Sequence, residues 1–475
     1  MRNCATGGLA HLVFSGDPHR RTEPAVAPFR RCGPFALKPG GDLMGEQAPL
    51  GRRKLLVGAA AIATTAPLAR RVVAAPSEVV NVAVLGCGRG ASLAQSFAKL
   101  ADSQVVAICD IDRSRGAALC EKIEQISGRR PEFVVDYRTL LERKDIDALV
   151  VATPDHWHAP VTINTCLAGK DVYVEKPASH NVREGRLAVE AARKYKRIVQ
   201  HGTNLRAAPH YRKAWKLLAD GVIGKVMMVK AINNQQRGRL EHRRDEPVPP
   251  GVNYDLWTGP APIRPFNRNR FHTGWHWLWD YGTGDLGNDG VHQVDLGRWA
   301  LNLGAPNAVS CSGAKLGWKG DAHEVPDAMV VTWEYEDLLY VFEQRDFTPY
   351  RMPAHELDND NIFYGDAGYM MVDRDGYRVF HRRGKPGVSY HKKWTDDGAH
   401  YQNFVSCVKN RRQEELNADI LEGHYSAMLC HLGNIAYRTG KRLEFDGETE
   451  TFTNDSSANA LLSREYRKGY ELPTI

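Results

Sequence analysis

The 475-residue chain has little cysteine, no long apolar run and no general surplus of basic charge. Each shortage excludes something. Of nine cysteines, Cys4 and Cys32 lie in the first 75 residues. The other seven, Cys87, Cys109, Cys120, Cys166, Cys311, Cys407 and Cys430, are an odd set placed mostly inside apolar strand or helix patterns, which argues against a disulfide framework. The best apolar run, Leu55 to Ala69, is broken by Pro67 and ended by Arg70-Arg71, so it falls short of the roughly twenty residues of a membrane span. Of 63 Lys/Arg and 56 Asp/Glu, 11 and 4 fall in residues 1–75, so the remainder carries 52 of each sign and no basic footprint for nucleic acid. Neither a P-loop, nor a nucleophile elbow, nor a long heptad run is present.

What is present begins with a leader. Arg52-Arg53-Lys54, the Ala-rich apolar segment and Val73-Ala74-Ala75 resemble a twin-arginine export signal cleaved after Ala75, which implies a periplasmic protein; a plain disordered basic leader would read alike. Export of an already folded protein also suits free thiols and a cofactor loaded before transport. The stretch before Met44, rich in Pro, Gly and Arg, has no motif and is given no fold. The remaining length exceeds one hydrophobic core of roughly 250–300 residues, so two domains are expected: 76–203 and 204–475, after a leader at 1–75.

Val79 to Leu85 is a continuous β-branched run, as in a parallel strand buried on both faces. Gly86-Cys87-Gly88-Arg89-Gly90-Ala91 follows and passes into a helical pattern, giving G-x-G-x-x-A in the strand-turn-helix setting of a dinucleotide site, with Gly86, Gly88, Arg89 and Ala91 as cofactor contacts. A second strand ends in Asp110, placed to accept from the adenosine ribose hydroxyls and to repel a 2′-phosphate, which favours NAD. Arg113 and Arg115 nearby keep NADP open, and Asp110 would also serve as a helix cap. Further on stand Thr153-Pro154-Asp155-His156-Trp157-His158, then Gly169-Lys170, then Val172-Tyr173-Val174-Glu175-Lys176-Pro177.

These three motifs after a glycine turn resemble the Gfo/Idh/MocA family, named for glucose-fructose oxidoreductase and inositol dehydrogenase. The resemblance runs from Val79 to the C-terminus. It implies an α/β protein: a Rossmann domain followed by an α/β domain with a large open, mostly antiparallel sheet, one face holding substrate and the other used for a homodimer or homotetramer. Sequence pattern alone reads only as α+β there. The resemblance adds Thr153, Pro154, His158 and Glu175 to the cofactor contacts and makes Lys176, at the carboxyl end of a strand, both a cofactor contact and the acid/base group. His292 matches the family's catalytic histidine within Asn288-Asp289-Gly290-Val291-His292-Gln293-Val294-Asp295. Many members have Asp where this chain has Asn288, so any acid role there passes to Asp285, Asp289 or Lys176, or is lost.

The substrate half is dense in aromatics: Trp275, Trp277 and Trp279 lie close before that helix, and tryptophan planes suit the C–H faces of sugars, although covering the sheet needs some of them. Arg206, Tyr211, Trp275, Trp279, Asn288, Asp289 and His292 are the expected substrate residues. His156/His158 and His272/His276 have zinc-like spacing, but no cysteine pair accompanies them and none is assigned to a metal. The expected activity is hydride transfer between a sugar, cyclitol or glycoside carbinol and NAD. Redox-neutral glycoside cleavage uses the same residues, and a non-catalytic cofactor-binding protein is the remaining class.

Overall fold

In the computed structural model, described over residues 79–347 and 360–475, the strands form two sheets. The leader with its arginine pair lies outside the described residues.

The first sheet holds β1 (Val80–Leu85), β2 (Ser103–Cys109), β3 (Glu132–Val134), β4 (Ala148–Val151), β5 (Asp171–Val174) and β6 (Val199–His201), in the order β3-β2-β1-β4-β5-β6. Every pairing in it is parallel. Helices α1 (Gly90–Ala98), α2 (Arg113–Ser127), α3 (Arg138–Leu141), α4 (Asp155–Leu167) and α5 (Val182–Lys194) connect the strands. The order reverses between β1 and β4, and in such sheets the ligand crevice opens at that point, beyond the strands' carboxyl ends. β4 and β5 are buried at every position, which is why they read as unbroken apolar runs.

After α6 (Pro209–Ala219), a ten-stranded sheet is built from β7 (Val226–Asn234), β8 (Ala308–Ala314), β9 (Ala328–Glu334), β10 (Leu339–Arg345), β11 (Asn361–Gly365), β12 (Gly368–Asp373), β13 (Gly376–His381), β14 (Lys385–His391), β15 (Leu443–Asp446) and β16 (Thr451–Phe452). Its order is β14-β13-β12-β11-β7-β10-β9-β8-β15-β16. Only β7 and β10 pair in parallel. Side chains alternate between faces. Val229, Val331, Trp333, Tyr340, Phe342 and Phe363 point into the core, while Val330, Leu339 and Tyr364 stand exposed on the other face.

Between the first strand of that sheet and its second run α7 (Tyr254–Thr258) and α8 (Val291–Leu301). The first sheet ends with β6 and the second begins with β7, but the chain later crosses back. Helix α9 (Gly398–Asn410) inserts Tyr401, Phe404 and Val405 beside Val82, Phe97 and Tyr173 of the first domain. The twenty-residue α10 (Ile420–Thr439) then gives Ile420 and Ala427 to the first core and Met428, Leu429, Leu432 and Ile435 to the second. A helix apolar nearly all round is thereby shared by two cores.

All seven cysteines of the described residues are unpaired. No described helix is long and apolar enough to cross a membrane.

Candidate active site

Three strand ends make one wall of the crevice. After β1, Gly86 takes φ +87°, and a Cβ there would sit 2.4 Å from the Ala152 carbonyl oxygen, so only glycine permits the turn. At Gly88 an added Cβ would meet only Arg115 Nη2, at 3.8 Å, which leaves the backbone open to the cavity. No side chain caps the N-terminus of α1. The close helix-strand contact falls to Gly90, whose Cβ would lie 3.2 Å from Val84 Cγ1, and Ala91, expected as a contact, does not line the cavity. The reason is that Ala91 is already inside the helix, its N–H donating to the Gly88 carbonyl.

Asp110 closes β2. Its carboxylate accepts from the N–H of Cys87 at 2.6 Å and of Asp112 at 2.8 Å, so it ties the glycine turn to its own strand. After β4 come Thr153 and Pro154, and His158 on the first turn of α4 spans two carbonyls, Nδ1 to Pro177 at 2.6 Å and Nε2 to Thr153 at 2.8 Å. After β5, Glu175 and Lys176 diverge as strand alternation requires. Glu175, buried, pairs with Arg89 at 3.1 Å across the crevice; burial alone would raise its carboxyl, but Arg89 and Lys176 outweigh that and hold it below the usual range. Lys176 turns the other way, donating to both the backbone and the side-chain oxygen of Asn288, the latter at 3.1 Å.

Asn288 lies in a π-helical turn, Leu286–Gly290, running straight into α8, a geometry that often marks functional sites. Its amide accepts from Lys176 and donates to Asp285 at 3.0 Å. An ionised aspartate could do only the first, so the amide suits this position beside a fixed carboxylate. Asp285 is fully buried and also held by Asn233 at 3.0 Å and Arg237 at 2.7 Å. Arg237 reaches Asp289 at 3.0 Å as well. Asp285 and Asp289 are therefore engaged with protein groups, and of the acids weighed for the missing family aspartate only Lys176 faces the cavity. His292 opens α8. Burial, reinforced by the Lys176 ammonium, pulls its imidazole down to about 3, and its Nδ1 has no protein partner. No hydrogen bond joins it to Lys176, and it does not line the cavity.

The cavity itself measures about 450 Å³, within the range of small-molecule sites. Gly86, Gly88, Arg89, Asp110, Thr153, Pro154, His158, Glu175, Lys176, Trp275 and Asn288 all line it. A larger depression of about 680 Å³ near Tyr254 and Arg264 shares Ile111 and Val135 with it but holds neither the glycine turn nor Lys176. The fit to a dinucleotide is physical: glycine backbone open to the cavity, a carboxylate at the ribose end, and a buried Thr153 hydroxyl left without a protein partner.

Four expected substrate residues are elsewhere. Arg206 is 2% exposed and locked in a bidentate pair with Asp295, both contacts 2.8 Å, so it braces α8 instead of meeting solute. Tyr211 is 1% exposed and packs on His210 and Trp215 in the second core, because α6 turns that face to the sheet. The Trp279 indole donates to the Glu324 carbonyl at 3.1 Å beneath Arg438. Asp289 belongs to Arg237. Conversely, Arg115, weighed in the sequence only for a 2′-phosphate, and His272 and His276, not assigned to the site, also line the cavity; among the described residues no group of three metal-binding side chains converges. The Arg115 guanidinium meets His272 Nδ1 at 2.7 Å, and His272 Nε2 meets Asp112 at 3.1 Å, so a loop of the second domain closes over the adenosine end. The signal for the two histidines was the aromatic density of Phe271 to Trp279.

A parallel nucleotide-binding sheet, a glycine turn and a strand-end lysine on one cavity define a dinucleotide-dependent oxidoreductase. The chain belongs to the Gfo/Idh/MocA oxidoreductase family: the model of its NAD-binding Rossmann fold matches residues 80–203, and that of its C-terminal alpha/beta domain matches 213–342 and 377–472. Among its relatives, an alpha-N-acetylgalactosaminidase of Shewanella oneidensis is 25% identical, over 83% of this chain and 84% of that protein. A glycosyl hydrolase family 109 protein of Shewanella baltica is 31% identical over the same shares. In fold, the chain resembles the WlbA dehydrogenase of Bordetella pertussis solved with NADH and UDP-GlcNAcA, at a TM-score of 0.58 and 20% identity, covering 78% of this chain and 99% of that one.

Asp110→Ala is expected to weaken NAD binding by about ten- to a hundredfold, in keeping with the ~1.5–3 kcal/mol of a hydrogen bond to a charged group, and to weaken NADP less. Fluorescence titration of both cofactors checks this. Equal losses would mean that the carboxylate serves the turn alone.

Proposed function

We propose that this chain is an NAD-dependent glycoside-processing enzyme: it oxidises a carbinol carbon of a bound sugar, lets the aglycone leave and restores the carbon. The observation that carries the reading is Lys176, fixed against Asn288 in the cavity that begins at the Gly86 turn. Support for cleavage over simple dehydrogenation comes from relatives named as glycosidases, aligned over more than four-fifths of the chain.

NAD, when bound, supplies the acceptor for the carbinol hydrogen and its electron pair and afterwards returns them. The protein's own part is proton handling and positioning. An ammonium has three donor directions. Lys176 spends two on Asn288, which leaves one position on the nitrogen for the substrate oxygen: in the free amine it is the lone pair that takes the hydroxyl proton on oxidation, and in the ammonium it is the N–H that returns the proton on reduction. His292 is kept neutral by burial beside the Lys176 charge, and its Nδ1 is left without a protein partner. Trp275, its ring on the cavity wall, offers an apolar plane to the sugar.

The test uses enzyme as purified, with no added cofactor, and p-nitrophenyl N-acetyl-α-galactosaminide, a probe suggested by the Shewanella oneidensis relative. Nitrophenol should appear over many turnovers without accumulation of free NADH. Net NADH formation from a free sugar, with no aglycone released from a panel of nitrophenyl glycosides, would replace this reading by the dehydrogenase one.

A further inference from the structure

Oxidising a carbinol requires one proton acceptor, and Lys176 is that group. Expelling an aglycone from the oxidised sugar requires another, for the C–H bond next to the new carbonyl. The same cavity contains a second nitrogen base that the oxidation does not use. His276 lines it together with Lys176, Asp155, His158 and Asn288. Its Nδ1 meets the Thr273 carbonyl at 2.5 Å, and a carbonyl only accepts, so the proton sits on Nδ1 and Nε2 carries a lone pair. No protein group is bonded to that Nε2 among the described residues.

The ring is held in place. It stacks on Trp275 at 3.6 Å between centroids and 19° between planes. Behind it Gly282 passes so close that an added Cβ would lie 2.6 Å from His276 Cα, so the backbone cannot retreat. The other groups flanking the cavity are spoken for: Glu175 by Arg89, Asp155 by the Thr283 hydroxyl at 2.7 Å, and His158 by two carbonyls. Burial, with Lys176 and Arg237 adding to it, draws the His276 imidazole down to about 4, so it is the free base at neutral pH.

We propose that His276 is the second acid/base of this cavity, taking the proton from the carbon that lies between the carbonyl and the anomeric centre. The proposal rests on the glycoside-processing reading above. In the step, that C–H bond breaks and its proton passes to Nε2. Its electron pair forms a carbon–carbon double bond conjugated with the carbonyl. The glycosidic C–O bond breaks with its pair on the departing oxygen, which takes one proton from solvent and leaves as the alcohol. The earlier two-electron oxidation is supplied by NAD. Water then adds at the anomeric carbon through its oxygen, giving one proton back to solvent, and His276 returns its own proton to the neighbouring carbon.

The experiment compares wild type with His276→Gln in D₂O on two probes: the p-nitrophenyl glycoside and the matching anhydroalditol, which has no aglycone to lose. Three signals are followed: near-ultraviolet absorbance of enzyme-bound reduced cofactor, deuterium at the carbon beside the oxidised one, and nitrophenol. His276→Gln should keep the absorbance change on mixing, which also shows that the variant is folded and loaded. Deuterium uptake and nitrophenol release should both fall by about 10²-fold or more. Deuterium uptake at the wild-type rate in the variant would overturn the proposal, and so would loss of the absorbance change together with the exchange. If instead wild type takes up deuterium into the anhydroalditol but cleaves no glycoside, the glycoside reading fails while His276 is still judged by its own exchange signal.

Discussion

Lys176→Met should lower turnover by about 10²- to 10⁴-fold while leaving NAD affinity within several-fold. Methionine keeps the length of the side chain and removes the proton it carries. The separation of binding from chemistry follows from the sheet order: the Gly86 turn ends β1, Lys176 follows β5, and β4 lies between them. His292→Ala should also slow turnover, and the double variant should lose less than the product of the single losses if both groups serve one proton path. Stopped-flow rates and cofactor titration on the same preparations check both halves. A Lys176→Met enzyme that turns over at a near wild-type rate would remove Lys176 as acid/base.

The second large effect is on stability. Arg206 and Asp295, buried and paired in bidentate fashion, form a network with Glu422, Arg298 and Ser426, whose hydroxyl donates to Asp295 at 2.7 Å. The Asp295 carboxyl would be raised by burial, but the Arg206 guanidinium outweighs that and pulls it down to about 2. An unfolded aspartate titrates near ~3.9. The carboxyl is therefore depressed in the folded state, and its stabilisation is present above pH ~4 and disappears as the pH falls through about 2. Arg206→Ala leaves that carboxylate buried without its main partner and should cost about 3–5 kcal/mol at neutral pH. The deficit should shrink in acid, where Asp295 takes up a proton. Urea denaturation at pH 7 and again near the acid limit measures it. A loss below about 1 kcal/mol at neutral pH would mean that Arg298 and Ser426 already satisfy Asp295.

The first domain was legible, Ala91 apart, because its signals are local. A β-branched run, two glycines and an acid at a strand end each owe their place to backbone geometry within a few residues, and the crevice lies where any such sheet opens. Lys176 was legible for the same reason. The substrate half was read less well. Arg206 and Tyr211, polar groups just past the last strand of the first sheet, look like pocket residues until α6 and α8 are seen to turn them inward. Trp275 and Trp279 are alike in sequence, yet a four-residue offset around the 3-10 turn Gly274–Trp277 sends one to the cavity and the other to Glu324.

By itself, the sequence determined the class of protein, the glycine turn, and the strand-end acid and lysine. These depend on contacts short in sequence. Only the tertiary structure decided that α9 completes the first core from some 200 residues beyond it, that the Asn288 amide mediates between Lys176 and Asp285, and that His276 lines the same cavity as Lys176. The physical reason is that a side chain's job depends on which partners satisfy it. Glu175, Asp155 and Asp285 have partners 86, 128 and 48 residues away, beyond the reach of any local pattern.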